Sequence, residues 1–270
     1  MADRWQGVLL TLVVGVATLW LAATGQLILY IHPRYVVFTV IMIAIGMVLS
    51  IGVLALAPAR GDDDHDHDHP GGHDHDADPA AALRPRRPRR GRAAARGIAV
   101  GAGALVTIVM AVALVALPPA TLTSATAGQR DVNSSTAALD GTSVDDATGA
   151  SDETYASFSI LDWAGLLRQT TDLSFYQGKT ADLVGFVVPS GDDPDVFYVS
   201  RFIITCCAVD AQPVGVPVYL PDWREQVDAD DWIDVSGGFQ ANQSGATDDP
   251  IALVPDELEK VGQPRDPYLY

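Results

Sequence analysis

The sequence predicts a membrane protein with three transmembrane helices followed by a small C-terminal all-β domain, an OB-like barrel with one short helix. Two observations support this class. Three stretches lack charged residues and match the roughly 20 apolar residues that span a bilayer; they are 7–30, 36–57 and 97–117. Five short segments with a β-strand pattern, separated by turn clusters, follow in the C-terminal part of the chain; they are 181–188, 196–205, 214–220, 232–239 and 251–254.

These patterns divide the chain into five parts. We expect a transmembrane hairpin, a cytoplasmic disordered loop that is rich in Asp and His and then in Arg, a third transmembrane helix, a flexible linker and an extracytoplasmic β domain. Their respective ranges are 1–58, 59–96, 97–117, 118–156 and 157–270. The β domain should open with a short helix, because Ile160, Trp163, Ala164 and Leu167 recur at helical spacing after Ser159, a suitable N-cap.

Charge predicts how the chain is oriented. Eight arginines lie in 60–96, whereas the turn between the first two spans has only Arg34. By the positive-inside rule the N-terminus and the loop are cytoplasmic, and the β domain is outside the plasma membrane. The arginines suit anionic lipid headgroups. Residues 118–270 hold 25 acidic and 7 basic side chains, which argues against nucleic acid as a partner.

The loop contains a tract with the composition of a divalent-metal binder. Imidazole and carboxylate together suit Zn²⁺ and similar ions, and a tract with Gly and Pro but no apolar residue predicts weak, exchangeable binding. The alternatives are a solvated acidic linker, or a segment that screens the arginines. The predicted ligands are His65, His67, His69, His73, His75, Asp64, Asp66, Asp68, Asp74 and Asp76.

A second motif lies at the end of the second predicted strand and contains both cysteines, Cys206 and Cys207. In a regular strand, neighbouring side chains point to opposite faces, so the pair would not bind one ion together. If the strand ends at Thr205, one thiolate and Asp210 converge instead. The alternative is ordinary packing, with small buried cysteines and an aspartate that caps a turn.

Three spans, a His32-Pro33 turn, a His-rich loop and a Cys-Cys-x-x-Asp-Ala motif resemble the bacterial YcgQ-type family. That family is described as accessory subunits of a two-component membrane permease. The resemblance implies a bacterial plasma membrane location, a multi-spanning permease as partner, and a link with zinc, but no reaction. The motif positions that it covers are His32, Pro33, Arg201, Cys206, Cys207, Asp210, Ala211 and Pro213.

Three functions therefore remain open. The leading hypothesis is a non-enzymatic accessory subunit of a permease that handles a divalent metal such as zinc. The second is an extracytoplasmic thiol, redox or metal-binding protein that uses Cys206 and Cys207, although residues 118–270 contain no histidine to act as a base. The third is an OB-like module for a ligand such as a sugar, with Trp223, Trp232 and Tyr219 as stacking candidates. His32 either takes part in passage of an ion or substrate, or it hydrogen-bonds lipid headgroups or caps a helix.

Overall fold

The computed structural model describes residues 2–56, 103, 105–109, 111–113, 120–134, 141–244 and 249–270. The chain forms two compact units. The first, here called the helical unit, combines Met1–Thr24 with Val37–Pro118. The second, here called the β unit, combines Gly25–Val36 with Pro119–Tyr270. Gly25–Val36 is called the connecting segment, since it joins the first two helices along the chain.

Two long helices adjoin the connecting segment along the chain. They are α1 (Ala2–Ala23) and α2 (Pro33–Leu56). Within α2, Pro33–Val53 is long and apolar enough to cross a membrane, and none of it is buried. Gly7–Ala23 is a shorter apolar helix. Gly15 lets α1 and α2 approach within the helical unit, because a Cβ there would lie 2.7 Å from Sδ of Met47.

Among the described residues, one helix is long and apolar enough to cross a membrane, where the sequence predicts three. Of the third predicted span, residues 103, 105–109 and 111–113 are described, and they are helical. The rest of that span and the predicted loop 59–96 lie outside the described residues. The Asp and His ligands predicted in the tract belong to this part, so they stay predictions.

The C-terminal β domain is confirmed, with six strands where five were predicted. They are β1 (Thr180–Pro189), β2 (Val196–Ile203), β3 (Gln212–Tyr219), β4 (Trp232–Ala241), β5 (Ile251–Lys260) and β6 (Tyr268–Leu269). Their order is β1-β4-β5-β3-β2-β6, and β1 also pairs with β2. The first five strands therefore form a closed ring, with β3 and β5 parallel and the other neighbours antiparallel.

Short helices cover the β unit. They are α3 (Ser124–Ala127), α4 (Val144–Ala147), α5 (Asp152–Ala156), α6 (Ile160–Gln169) and α7 (Leu173–Tyr176). Helix α6 is the predicted one, and it begins with a capping box between Ser159 and Asp162. Its Trp163 is buried against Phe239 of β4, with ring centroids 4.7 Å apart.

Residues 118–156, predicted as a linker, include described stretches that make hydrogen bonds to strands β3 and β6. The side chain of Asn133 donates to the Gly215 carbonyl at 2.8 Å and accepts from the Gly215 amide at 2.9 Å. The amide of Leu122 donates to the Tyr268 hydroxyl at 3.1 Å. These bonds place residues 120–134 beside β3 and β6, next to the loop that carries the cysteines.

Candidate functional site

The loop that follows β2 turns back on the carboxylate of Asp210. One oxygen accepts the amide of Thr205 at 3.1 Å, and the other accepts those of Cys206 and Cys207 at 2.7 and 3.4 Å. Partial burial raises the pKa of Asp210, but the hydrogen bonds from Cys206, Thr205 and Cys207 outweigh it and hold the pKa below its usual range. The aspartate is therefore ionised near neutral pH, and it fixes the shape of the loop.

This turn brings both thiols to the same side. Strand β2 ends at Ile203, two residues before the predicted end, so the alternation of a strand does not apply to Cys206 and Cys207. Their sulfur atoms lie 3.4 Å apart, and both cysteines are free. The condition under which neighbouring cysteines could not bind one ion together, a strand that continues through both, is therefore not met.

The two sulfurs and a carboxylate oxygen of Asp210 lie within 4.8 Å of one another. Two thiolates on one tetrahedral zinc ion lie about 3.8 Å apart, given a Zn–S distance of about 2.3 Å. The observed spacing of 3.4 Å is close to that value. Cys206 is exposed and Cys207 is half-buried, so an ion from solution can reach them. Among the described residues this is the one group of three or more Cys, His, Asp or Glu side chains that fits an ion.

The electrostatics of the site favour a protonated thiol when metal is absent. The carboxylate of Asp210, followed by Cys207, raises the pKa of Cys206 to about 12. A thiol with so high a pKa is a poor nucleophile near neutral pH, because the thiolate is the reactive form. A bound metal ion reverses this preference, since thiolate ligation displaces the proton.

The connecting segment packs directly on the cysteine loop. Ile31 and Cys207 form an isolated antiparallel bridge. Two backbone bonds flank it: the amide of His32 donates to the Cys206 carbonyl at 3.0 Å, and the amide of Ala208 donates to the Tyr30 carbonyl at 2.8 Å. The two sequence motifs that the family resemblance covers, His32-Pro33 and the cysteine pair, therefore meet in one place.

His32 has further contacts at this junction. Its Nδ1 accepts the backbone amide of Arg34 at 3.1 Å, in the first turn of α2, so it acts as a helix cap. Its ring lies edge-on to Tyr270, with centroids 4.9 Å apart. Partial burial and then Arg34 lower the pKa of His32, and Asp210 acts in the opposite sense. The imidazole is therefore neutral near pH 7.

Three other motif residues, Arg201, Ala211 and Pro213, stabilise the fold around the cysteine loop. Arg201 donates through Nε to the Val184 carbonyl at 2.7 Å and stacks on Trp232, with 5.6 Å from its guanidinium carbon to the ring centre. Burial lowers the pKa of Arg201. Ala211 is buried, and the carbonyl of Pro213 accepts the amide of Asn133 at 3.1 Å. These three residues therefore hold the fold around the site.

Sequence reasoning missed two contributors to this region, Tyr270 and Arg130. Tyr270 donates from its hydroxyl to the Ile28 carbonyl at 3.3 Å and so joins the C-terminus to the connecting segment. Arg130 donates to the Val209 carbonyl at 3.1 Å and also to that of Ala211. Arg130 is the first basic residue after the third apolar stretch, which is the one signal that could have drawn attention to it.

The stacking candidates for a sugar do not form a surface together. Trp223 is buried in the core, where its indole nitrogen donates to the Pro194 carbonyl at 2.9 Å. Trp232 and Tyr219 are half-buried on β4 and β3. Trp223 is thus a core residue rather than a ligand platform.

The fold and the site define a class: a protein with apolar N-terminal helices and a closed β domain that carries a Cys-Cys-Asp cluster. Two domain models of one known family match the chain. The DUF1980 N-terminal domain matches residues 7–133, and the DUF1980 C-terminal domain matches residues 153–270. The chain belongs to the DUF1980 family, whose name states no activity.

Comparisons with individual proteins add little. No curated protein matches the chain. Among solved structures, the OBodies AM3L09, AM2EP06 and NL8, each bound to hen egg-white lysozyme, match at 22%, 21% and 20% identity. Each match covers 32% of this chain, and 84%, 82% and 98% of the respective OBody chain. With TM-scores of 0.21, these likenesses define neither the fold nor the function.

Proposed function

We propose that the chain is a membrane-anchored, non-enzymatic protein whose β unit binds a thiophilic divalent ion, zinc above all, through Cys206, Cys207 and Asp210. The convergence of two thiols and a carboxylate within 4.8 Å carries the proposal. Thiolate ligands select borderline and soft ions such as Zn²⁺ over Mg²⁺ and Ca²⁺, which prefer oxygen. Three such ligands leave one position of a tetrahedral ion for another donor.

Binding accounts for the site better than thiol chemistry does. The high pKa of Cys206, about 12, suppresses the thiolate that a nucleophile or an exchange reaction needs. A redox role is the second candidate, since both thiols are free and only 3.4 Å apart. It is the weaker one, because a disulfide between adjacent residues departs from ordinary disulfide geometry.

The wider role in this proposal is that of an accessory subunit for a multi-spanning permease. The apolar helix Pro33–Val53 supports membrane anchoring, and a helix that is apolar on all sides suits lipid. Two or three spans are too few for a complete secondary transporter. The β unit would then hold the ion on the extracytoplasmic side, and the Asp/His tract would give a weaker cytoplasmic site.

The closed ring of five strands supports the finer assignment of the β unit as an OB-like barrel. In this proposal the barrel serves as a rigid frame for the cysteine loop. A ligand-binding barrel is less well supported, because Trp223, one of its three stacking candidates, lies in the core.

Cobalt titration of the full chain in detergent tests the metal site. All five tract histidines are first replaced by Asn, so that binding at the tract does not obscure the result. We expect one Co²⁺ per chain with a thiolate-to-cobalt charge-transfer band, which zinc then abolishes by displacing the cobalt. Cys206→Ser and Cys207→Ser should each weaken the band strongly, and Asp210→Asn should weaken affinity. Asp256→Asn, at an exposed position of β5, is the matched control and should bind like the parent.

Two results would count against the site: no charge-transfer band in the parent, or an unchanged band in both cysteine variants. The partner is tested separately, by purification from the native membrane in mild detergent with and without residues 62–76. Recovery of a polytopic protein supports the accessory role. Its absence from both preparations contradicts that role without touching the metal site.

A further inference from the structure

The three donors of the proposed site leave a tetrahedral zinc ion one ligand short. Cys206, Cys207 and Asp210 already bring three negative charges when the thiols are ionised. A fourth ligand without charge therefore fits better than another carboxylate, and neutral imidazole is the usual one in zinc sites. The chain has six histidines; five lie in the tract 65–75, and the sixth is His32.

The bridge between the connecting segment and the cysteine loop places the backbone of His32 beside that of Cys206. Since Ile31 pairs with Cys207, the antiparallel register places His32 opposite Cys206. The bond from the His32 amide to the Cys206 carbonyl, 3.0 Å long, fixes this alignment. Residues directly opposite each other in antiparallel pairs have Cβ atoms about 5 Å apart. The Asp210 carboxylate is also close enough to act electrostatically on His32.

The ring of His32 already presents a lone pair. Its Nδ1 accepts the amide of Arg34 at 3.1 Å, which requires the neutral tautomer with an unprotonated Nδ1. That amide lies in the first turn of α2, where N–H groups lack intrahelical partners and water can satisfy them. Arg34 is exposed. Transfer of the Nδ1 lone pair to a metal ion would therefore cost this exposed capping bond and the longer contact, 3.4 Å, that Nε of Arg34 makes to the same nitrogen.

We propose that His32 is the fourth ligand of the ion held by Cys206, Cys207 and Asp210, with Nδ1 as the ligating atom. The inference rests on the proposed metal site and adds to it a fourth ligand and a structural role. With His32 bound, the ion joins the connecting segment to the cysteine loop within the β unit, so that metal occupancy stabilises the bridge between them. Reciprocally, the bridge presents His32 to the ion and raises its affinity.

One pair of variants separates a ligand from a helix cap. His32→Asn keeps a side chain that caps helices well but removes the imidazole. His32→Ala removes both functions. Tyr35→Phe is the control, because the Tyr35 ring lies 6.1 Å from that of His32 and offers no imidazole. All are made in the full chain with the five tract histidines replaced by Asn, where His32 is the sole histidine.

Two readouts are needed: zinc affinity by competition with Co²⁺, and the ¹⁵N shifts of the single labelled imidazole. We expect one equivalent of zinc to shift the ring nitrogens in the pattern of Nδ1 ligation. His32→Asn and His32→Ala should both lose at least about tenfold in affinity, since even outer partners of a ligand are worth roughly 10–100-fold. Tyr35→Phe should bind like the parent.

Zinc could leave the ¹⁵N shifts of the ring unchanged while His32→Asn binds zinc with parental affinity. That result would overturn the role of His32, and a persisting thiolate band would still support the metal site. A chain that shows no thiolate band at all would overturn both proposals. An affinity loss in His32→Ala that His32→Asn restores would mark His32 as a cap only, and it would also overturn the inference.

Discussion

Replacement of Asp210 by Asn should make Cys206 more reactive in the metal-free protein. The carboxylate is the largest cause of the high pKa of Cys206, about 12. Asn has nearly the same shape but no charge, so the thiolate loses its main source of repulsion. The thiol proton also loses its anionic acceptor. Both changes lower the pKa of Cys206.

The size of the effect follows from two opposing trends. If the pKa fell from about 12 to about 10, the thiolate population at pH 8 would rise about 100-fold. The intrinsic nucleophilicity of a thiolate falls with its pKa, with a Brønsted coefficient of about 0.45, which is a loss of about eightfold here. The net expectation is alkylation that is roughly tenfold faster.

The assay is the rate of iodoacetamide labelling at pH 8 in the presence of a chelator, with Cys206 and Cys207 distinguished by tandem mass spectrometry. Asp256→Asn is the control for a lost exposed carboxylate and should label at the parental rate. A rate at Cys206 that is unchanged or slower in Asp210→Asn would contradict this expectation. It would mean that the carboxylate does not govern this thiol.

Two further predictions concern the frame of the site. Burial raises the pKa of Asp162, but hydrogen bonds from Ser159 and Thr142 outweigh it and lower the pKa overall. The ionised carboxylate therefore contributes its full stabilisation above the unfolded-state pKa of about 4. That contribution is lost as the pH falls through the lower pKa of the folded state. Asp162→Asn should therefore lower the free energy of unfolding in urea by about 1–2 kcal/mol at pH 7. It should also make stability less dependent on pH below about 5. An equal loss of stability at pH 7 and at pH 2 would contradict this. A Cβ at Gly185 would lie 2.6 Å from the Ser200 carbonyl oxygen, where β1 meets β2. Gly185→Ala should therefore cost about 1–3 kcal/mol of stability, measured by thermal melts. Gly191→Ala is the control, because it has open space around it, and it should cost less than about 1 kcal/mol in the same measurement.

Local patterns predicted α6 and most strands because the relevant forces act over short stretches of chain. The Ser159 cap and the apolar spacing after it are readable in ten residues, and the capping box formed as expected. Strand β5 was predicted to stop at Val254, but it continues to Lys260 because β4 pairs with it over that whole length. Its outer part carries Asp256, Glu257 and Glu259, which conceal the strand pattern.

The missed features depend on contacts between distant parts of the chain. Strand β6 has two residues and forms only through parallel pairing with β2. The two sulfur atoms lie close together because Asp210 accepts hydrogen bonds from three backbone amides and Ile31 of the connecting segment pairs with Cys207. No local pattern around Cys206 distinguishes a strand that ends at Thr205 from one that ends at Ile203. The approach of His32, some 170 positions earlier, has no local signal at all.

The central claim is that the two adjacent cysteines bind one metal ion together. Zinc K-edge X-ray absorption on the full chain, with the five tract histidines replaced by Asn and one equivalent of zinc, tests it most directly. We expect two sulfur ligands at about 2.3 Å and two lighter ligands at about 2.0–2.2 Å. A shell of oxygen and nitrogen alone, or one sulfur per zinc, would contradict it.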